Sequence, residues 1–310
     1  MPDGGFDRLG RLPTVLLELP PMQTINLDGP VAYRSWAGPS DTTFVLVHGL
    51  GGSHLNWLQV AGGLSGLGRV VALDLPGFGR SPAAGRGTRV MDLRRSLARF
   101  IDEAASGRVV VVGNSMGGLI ASVEAAVEPD RVAGLVLSAS VFPWTRGSLP
   151  HPAVLAAFSL YGLDGVGERL VRARRRSMSP EMFVRSGLRL LTPDPGVIPE
   201  EVVRLQIELV RDTRDDPEQP KNFIEAARSI ATYIRTPSLG IRTMDGIRCP
   251  VLVIHGRRDR FVPPGFAEAA LAANPAWRGR ILPGVGHVPQ MEAPGRWLGE
   301  VADWYAATLR

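Results

Sequence analysis

Gly113-Asn114-Ser115-Met116-Gly117-Gly118 sits between the apolar run Arg108–Val112 and the apolar segment Leu119–Val127. A run of strand length, a serine flanked by glycines and a segment of helix length predict strand, sharp turn and helix, with the serine at the apex. Glycines two places either side of Ser115 permit a backbone too tight for a side chain, and that lifts the hydroxyl above the sheet edge. A bare G-x-S-x-G arises by chance in a chain with 36 glycines. The flanking strand and helix are what make this one specific.

Outward from the turn, short apolar runs alternate with helical patterns. Met22–Leu27 and Val31–Ala37 flank Asp28-Gly29 and predict a hairpin. Thr43–His48 is an apolar run ending in His48-Gly49-Leu50-Gly51-Gly52, and a helix is expected from near Asn56. Arg69–Leu73 is the next strand, followed by the loop Asp74-Leu75-Pro76-Gly77-Phe78-Gly79-Arg80-Ser81. Thr88 is expected to cap a helix running to about Ala105, with Val90, Leu93, Leu97 and Ile101 on one face. Strands follow at Val132–Ser138, Val251–His255 and Arg280–Leu282. This rhythm predicts an α/β fold with a mostly parallel sheet covered by helices on both faces.

The rhythm breaks between Val141 and Arg248, where helix starts such as Ser179-Pro180-Glu181, Pro199-Glu200-Glu201 and Gln219-Pro220 replace strand-like runs. We read this stretch as a helical cap inserted over the carboxyl ends of the strands, where open α/β sheets bind their ligands. The expected division is an N-terminal extension (1–21), a core (22–140 and 249–310) and a cap or lid (141–248).

Composition sets limits on function. The chain is 45% hydrophobic and 21% charged, which is ordinary for a soluble globular protein. A single cysteine, Cys249, excludes an internal disulfide and reads as a packed, inert thiol. The net charge of +5 rests on arginine, Lys221 being the only lysine, and no run interleaves basic and aromatic residues as a nucleic-acid groove requires. The basic run Arg172-Ala173-Arg174-Arg175-Arg176 reads as a solvated helix face, with an anionic partner or a membrane surface as the alternative. No stretch has the ~20 apolar residues of a membrane span. Pro13, Glu18 and Pro20 interrupt the apolar stretch Leu12–Leu19 in a way a secretory signal does not tolerate, so a cytoplasmic protein is expected.

A serine hydroxyl needs a base to take its proton. Of the five histidines, His48 and His255 end strands and read as loop-organising, whereas His54 and His151 have no patterned partner. His287 lies in Gly284-Val285-Gly286-His287, a glycine-rich loop after the last strand that can swing an imidazole over the sheet edge. A carboxylate is needed to fix the tautomer of that base. Asp259, directly after the strand Val251–His255, is the candidate, and the rival loop Ala139–Pro143 offers no acid. The alternative for Asp259 is a surface salt bridge with Arg257, Arg258 or Arg260. Backbone N–H groups of Met116 and Leu50 are expected to form an oxyanion hole.

Together, the His48–Gly52 segment, the Asp74–Ser81 loop, the serine turn and the paired Asp259 and Gly286-His287 loops make the chain resemble the α/β-hydrolase family from about Met22 onward. The resemblance implies a central eight-stranded sheet, catalysis by Ser115, His287 and Asp259, an acyl-enzyme intermediate, and neither cofactor nor metal. The family spans esterases, lipases, amidases, thioesterases, carbon–carbon bond hydrolases and cofactor-free perhydrolases. The serine turn resembles that of hydrolases cleaving ring-opened aromatic diketones, which usually carry tryptophan after the histidine, where this chain has Val288. Epoxide hydrolases and haloalkane dehalogenases use an aspartate in place of Ser115. The expected activity is hydrolysis of small or medium apolar esters, with carbon–carbon hydrolysis, an interfacial lipase and a non-catalytic receptor as alternatives. Trp144, Phe158, Met182, Phe183, Phe223 and Tyr233 are the candidates for the pocket wall.

Overall fold

The computed structural model describes residues 19–142 and 150–309. β1 (Gln23–Asn26), β2 (Pro30–Trp36) and β3 (Thr42–Val47) are followed by a short 3₁₀ turn, α1 (Leu58–Ser65) and β4 (Arg69–Leu73). Then come α2 (Val90–Ala104), β5 (Arg108–Asn114), α3 (Met116–Val127) and β6 (Gly134–Ser138). Among the described residues, six α-helices stand between β6 and β7: α4 (Pro152–Tyr161), α5 (Val166–Ser177), α6 (Pro180–Leu191), α7 (Glu200–Asp212), α8 (Gln219–Arg235) and α9 (Pro237–Gly246). The chain closes with β7 (Val251–Gly256), α10 (Pro264–Ala273), β8 (Arg278–Leu282), α11 (Pro289–Glu292) and α12 (Pro294–Thr308).

The eight strands form one sheet in the order β1-β2-β4-β3-β5-β6-β7-β8. The first two pairings, β1 with β2 and β2 with β4, are antiparallel, and the rest are parallel. Alternate residues of the central strands serve two cores. Val45, Val47, Val71, Val111, Leu135 and Val253 pack against α2, α3 and α10. Phe44, Leu46, Val70, Val110, Val136 and Leu252 pack with Trp57, Trp297 and Trp304 on the opposite side. A strand covered on both faces has no polar alternation, which is why these segments read as unbroken apolar runs.

The six helices between β6 and β7 are the inserted cap. α6 and α7 contribute Val184, Leu188, Val202 and Val203 to a small core shared with Val288 and Met291. α8 anchors the cap through Ala226, Ile230 and Tyr233, which join the core under α2 and α3. Thr88 serves this anchoring rather than capping α2. The α2 N-cap is Arg89, without a side-chain bond. The Thr88 N–H donates to Glu225 Oε2 at 2.7 Å, and its hydroxyl lies 2.8 Å from that oxygen and from the Asn222 carbonyl. A half-buried carboxylate on α8 outcompetes the local cap. No described helix is long and apolar enough to cross a membrane.

A tight joint forms where β5 meets α3. A Cβ on Gly113 would overlap the Gly117 carbonyl, and one on Gly117 would overlap the Val47 and His48 carbonyls. Neither neighbour can yield, because both are backbone of adjoining elements. Gly117→Ala is therefore expected to destabilise the fold by about 3 kcal/mol, read as a lower denaturation midpoint and reduced soluble yield.

Candidate active site

β5 delivers Ser115 to the carboxyl edge of the sheet, and α3 starts one residue later. Between them the backbone must reverse, and Ser115 takes φ +54° and ψ −118°. This is a left-handed conformation that an L-residue adopts only under constraint. The Ser115 N–H donates to the Ser138 carbonyl at 3.1 Å. Asn114 braces the same joint, its Nδ2 donating to the carbonyls of Ser138 at 2.9 Å and His287 at 3.2 Å.

His287 Nε2 lies 2.9 Å from Ser115 Oγ, and His287 Nδ1 lies 2.8 Å from Asp259 Oδ2. With Nδ1–H donated to the carboxylate, Nε2 is left as the acceptor for the serine proton. The Asp259 side chain is fully buried and its other oxygen accepts from the N–H groups of Phe261 and Val262 at 2.8 and 2.9 Å. Its ionic neighbours are His255 and His287, and Arg257 pairs with Glu268 instead. Burial alone would raise the Asp259 pKa. The opposing charge of the His287 imidazole and hydrogen bonds from His255 and His287 outweigh it and hold the carboxyl well below its ordinary range.

His255 thus does more than organise a loop. Its Nε2 stands 2.8 Å from the Val262 carbonyl and 3.2 Å from Asp259 Oδ2, the same oxygen that His287 Nδ1 meets, so it helps to fix the carboxylate. The loop carrying His287 is held in turn by Glu292, which accepts from the N–H groups of Gly286 at 2.8 Å and Val288 at 3.0 Å. The His287 N–H donates to the Leu191 carbonyl of α6 at 2.8 Å, and the Phe261 ring stacks on the imidazole at 5.1 Å.

The Gly49–Gly52 loop passes directly beside the serine, so that a Cβ on Gly49 would come within 3.2 Å of the Ser115 Cβ. The Met116 N–H is the first amide of α3 and has no acceptor within its helix. The first amide of α3 and the Gly49 backbone thus both lie beside Ser115. The loop is clamped by an arrangement with little sequence signal. Asp74 Oδ1 accepts from His54 N–H at 2.6 Å and from His54 Nδ1 at 2.9 Å, and Asp74 Oδ2 accepts from Arg80 N–H at 2.8 Å. His48 donates through Nδ1 to the Gly49 carbonyl at 2.7 Å and accepts the Leu75 N–H at Nε2, at 3.0 Å. Burial would raise the Asp74 pKa, but the charge and hydrogen bond of His54 pull it down. Burial also lowers that of His48, which keeps its Nε2 free to accept. His54, which has no patterned partner in the sequence, is therefore a buried brace of the segment that follows β3. The available signal was an acid at the end of one strand and a histidine six residues past another.

The pocket candidates divide. Phe223 lies over the Gly49–Gly52 loop, 3.1 Å from where a Gly51 Cβ would be, and Tyr161 meets its ring edge-on at 5.7 Å. Phe158 packs beside Tyr161 at 5.9 Å. Tyr233 is buried and borders a shallow cleft with Leu119, Val141, Phe142 and Met244, Leu119 being one helical turn beyond Ser115. Met182 does not contribute to a wall. It is 57% exposed on the outer face of α6. Phe183 is also misplaced as a wall residue, because its ring lies under the guanidinium groups of Arg174 and Arg175, at 5.2 and 5.7 Å. Trp144 falls outside the described residues. Cys249, its pKa pushed up to about 11 by burial, stays a neutral thiol. Among the described residues no group of histidine, cysteine and acidic side chains could hold a metal ion.

Two expectations test this geometry. Ser115→Gly should relieve about 1 kcal/mol of backbone strain that Ser115→Ala retains, so the glycine variant should melt higher, although both lack the hydroxyl. The stabilisation from Asp259 is present above the unfolded carboxyl pKa of about 3.9 and is lost as pH falls through the depressed folded value. The melting-temperature gap between wild type and Asp259→Asn should accordingly narrow from pH 7 to pH 3.

Comparison with known proteins agrees with this architecture. Residues 44–301 match the model of the alpha/beta hydrolase family. A 2-hydroxy-6-oxononadienedioate/2-hydroxy-6-oxononatrienedioate hydrolase of Burkholderia vietnamiensis is 30% identical over 73% of this chain and 74% of its own length. The dihydrolipoyllysine-residue acetyltransferase component of the acetoin cleaving system from Pseudomonas putida is 29% identical over 83% of this chain. The match spans only 61% of that protein, and 65% of its Cupriavidus necator counterpart. Among solved structures, a meta-cleavage product hydrolase of Pseudomonas fluorescens superimposes with a TM-score of 0.73 at 19% identity, covering 92% of this chain and 97% of the other. A thermophilic esterase of Thermogutta terrifontis gives 0.66 at 24% identity, covering 93% and 98%. With a family match over most of its length, on a sheet and cap of the matching architecture, the chain belongs to the alpha/beta hydrolase family.

Proposed function

We propose that the chain hydrolyses a bond to a carbonyl carbon through an acyl-Ser115 intermediate, and that its substrates are ring-opened diketones cleaved at a carbon–carbon bond. The observation that carries the chemistry is the unbroken line from Ser115 Oγ to His287 Nε2 at 2.9 Å and from His287 Nδ1 to Asp259 Oδ2 at 2.8 Å. In support of the carbon–carbon reading, five relatives at 27–30% identity are 2-hydroxy-6-oxononadienedioate/2-hydroxy-6-oxononatrienedioate hydrolases. The serine turn, with Asn114 beside the nucleophile, also resembles that of such enzymes.

In this reading Ser115 Oγ attacks the ketone carbon while His287 Nε2 takes its proton. The resulting oxyanion accepts hydrogen bonds from the N–H groups of Leu50 and Met116. Collapse of the tetrahedral adduct breaks the carbon–carbon bond, and the leaving carbon takes the proton held on His287. Water, deprotonated by the same imidazole, then releases the acid from Ser115. Asp259 stays ionised throughout and stabilises the imidazolium.

Ester hydrolysis is the second reading, and a specific feature favours it: Val288 follows the base where the diketone hydrolases usually have tryptophan. The chemistry differs only in the leaving atom, an alkoxide oxygen in place of a carbanion. Turnover of a ring-opened phenyl diketone and of a p-nitrophenyl ester series, followed spectroscopically, separates the two. The expected result is a higher kcat/KM for the diketone, with loss of about 10⁴-fold or more for both substrate types in Ser115→Ala. Efficient ester turnover with no diketone cleavage would reverse the assignment. Retained activity in folded Ser115→Ala would remove both readings.

A further inference from the structure

The cap carries an apolar surface that the proposed reaction does not use. From Pro150 to Leu163 there is no Asp, Glu, Lys or Arg. In α4, however, only Val154 is buried. Pro152, Leu155, Ala156, Ser159 and Leu160 are spaced three and four apart, which puts them on one side of the helix, Leu163 follows in the turn just beyond its end, and all six are exposed. The larger residues are substantially open, Leu155 at 39%, Leu160 at 43% and Leu163 at 53%. A helix this apolar is ordinarily buried in a core.

The neighbouring helix identifies what covers it. α5 packs beside α4 and carries Arg169, Arg172, Arg174, Arg175 and Arg176 against a single acid, Glu168. Its outward face, three and four residues apart, holds Arg169, Leu170, Ala173 and Arg176, and Leu170 is 42% exposed. Asp215 and Asp216 lie near enough to act on Arg175. The other nearby carboxylates are engaged elsewhere: Glu181 and Glu200 pair with Arg185, Asp164 with Arg228, and Asp212 with Arg80, so that among the described residues Arg169, Arg172 and Arg176 have no ion-pair partner. An apolar ridge bordered by unneutralised arginines matches a surface that is oily inside and negatively charged at its rim. A second copy of the chain matches it poorly, since a two-fold contact through this patch sets arginines against arginines.

We propose that α4 and α5 form a docking face for an anionic lipid bilayer, with the leucines entering the acyl boundary and the arginines meeting the headgroups. This is attachment to one leaflet, independent of the reaction at Ser115. The sequence alone favoured a solvated face for the arginine run, because it gave no sign that the adjacent apolar helix lies outside the core.

Flotation of the full chain with vesicles tests the assignment. Binding is expected to phosphatidylcholine vesicles containing phosphatidylglycerol, to weaken with salt, and to be slight on phosphatidylcholine alone. Replacing Arg169, Arg172 and Arg176 by Ala should weaken binding about fivefold per residue. The double variant Leu160→Glu/Leu163→Glu should weaken it tenfold or more. Unchanged melting temperatures show that these surface variants are folded. Absence of binding at low salt, or binding that neither variant reduces, overturns the proposal. So does a dimer in sedimentation that the leucine variant dissociates while vesicle binding stays the same, which would assign the face to a second copy.

Discussion

The left-handed backbone at Ser115 is the constraint to which the other parts of the site answer. It cannot persist alone, since it costs of the order of 1–3 kcal/mol. It is held because β5 and α3 approach so closely at Gly113 and Gly117 that no other path joins them. That closeness needs β3 alongside, supplying the Val47 and His48 carbonyls against which Gly117 rests. One strained residue therefore draws its support from the centre of the parallel sheet, and the hydroxyl it carries inherits that rigidity.

A second constraint is electrostatic. A fully buried carboxylate at Asp259 would be untenable unless its charge were compensated. Two backbone amides and two imidazoles satisfy it, and only His287 of these also reaches the serine. The same pattern recurs at Asp74, where a buried acid is satisfied by His54 and two main-chain N–H groups. One acid orients the imidazole and the other braces the loop beside Ser115. Both are buried charges retained at positions where they fix geometry.

Features governed by the local backbone were legible in the sequence. The serine turn could be read because the required conformation selects glycine at fixed offsets, and the parallel strands because double-sided burial writes continuous apolar runs. Ser115, Asp259 and His287 could be named because each follows a strand, and strand ends of a parallel sheet converge on one edge. Features governed by packing were not legible. Helical spacing shows that α6 has an apolar side but not which neighbour it faces, so Met182 and Phe183 were read as wall residues although one meets solvent and the other two arginines. The His54–Asp74 pair joins positions twenty residues apart with no periodic signal. Thr88 looked like a helix cap because its true partner, Glu225, lies 137 positions away.

The bond from the His287 amide to the Leu191 carbonyl ties the imidazole loop to the end of α6. Gly286 adds to this seam, because its backbone lies against Leu191 and Pro193 with no room for a methyl group. A cap hinged open along that edge would drag the imidazole away from the serine and break the proton path it serves. The roof is therefore stitched to the machinery along one flank, and the cap and the imidazole loop behave as a single piece there.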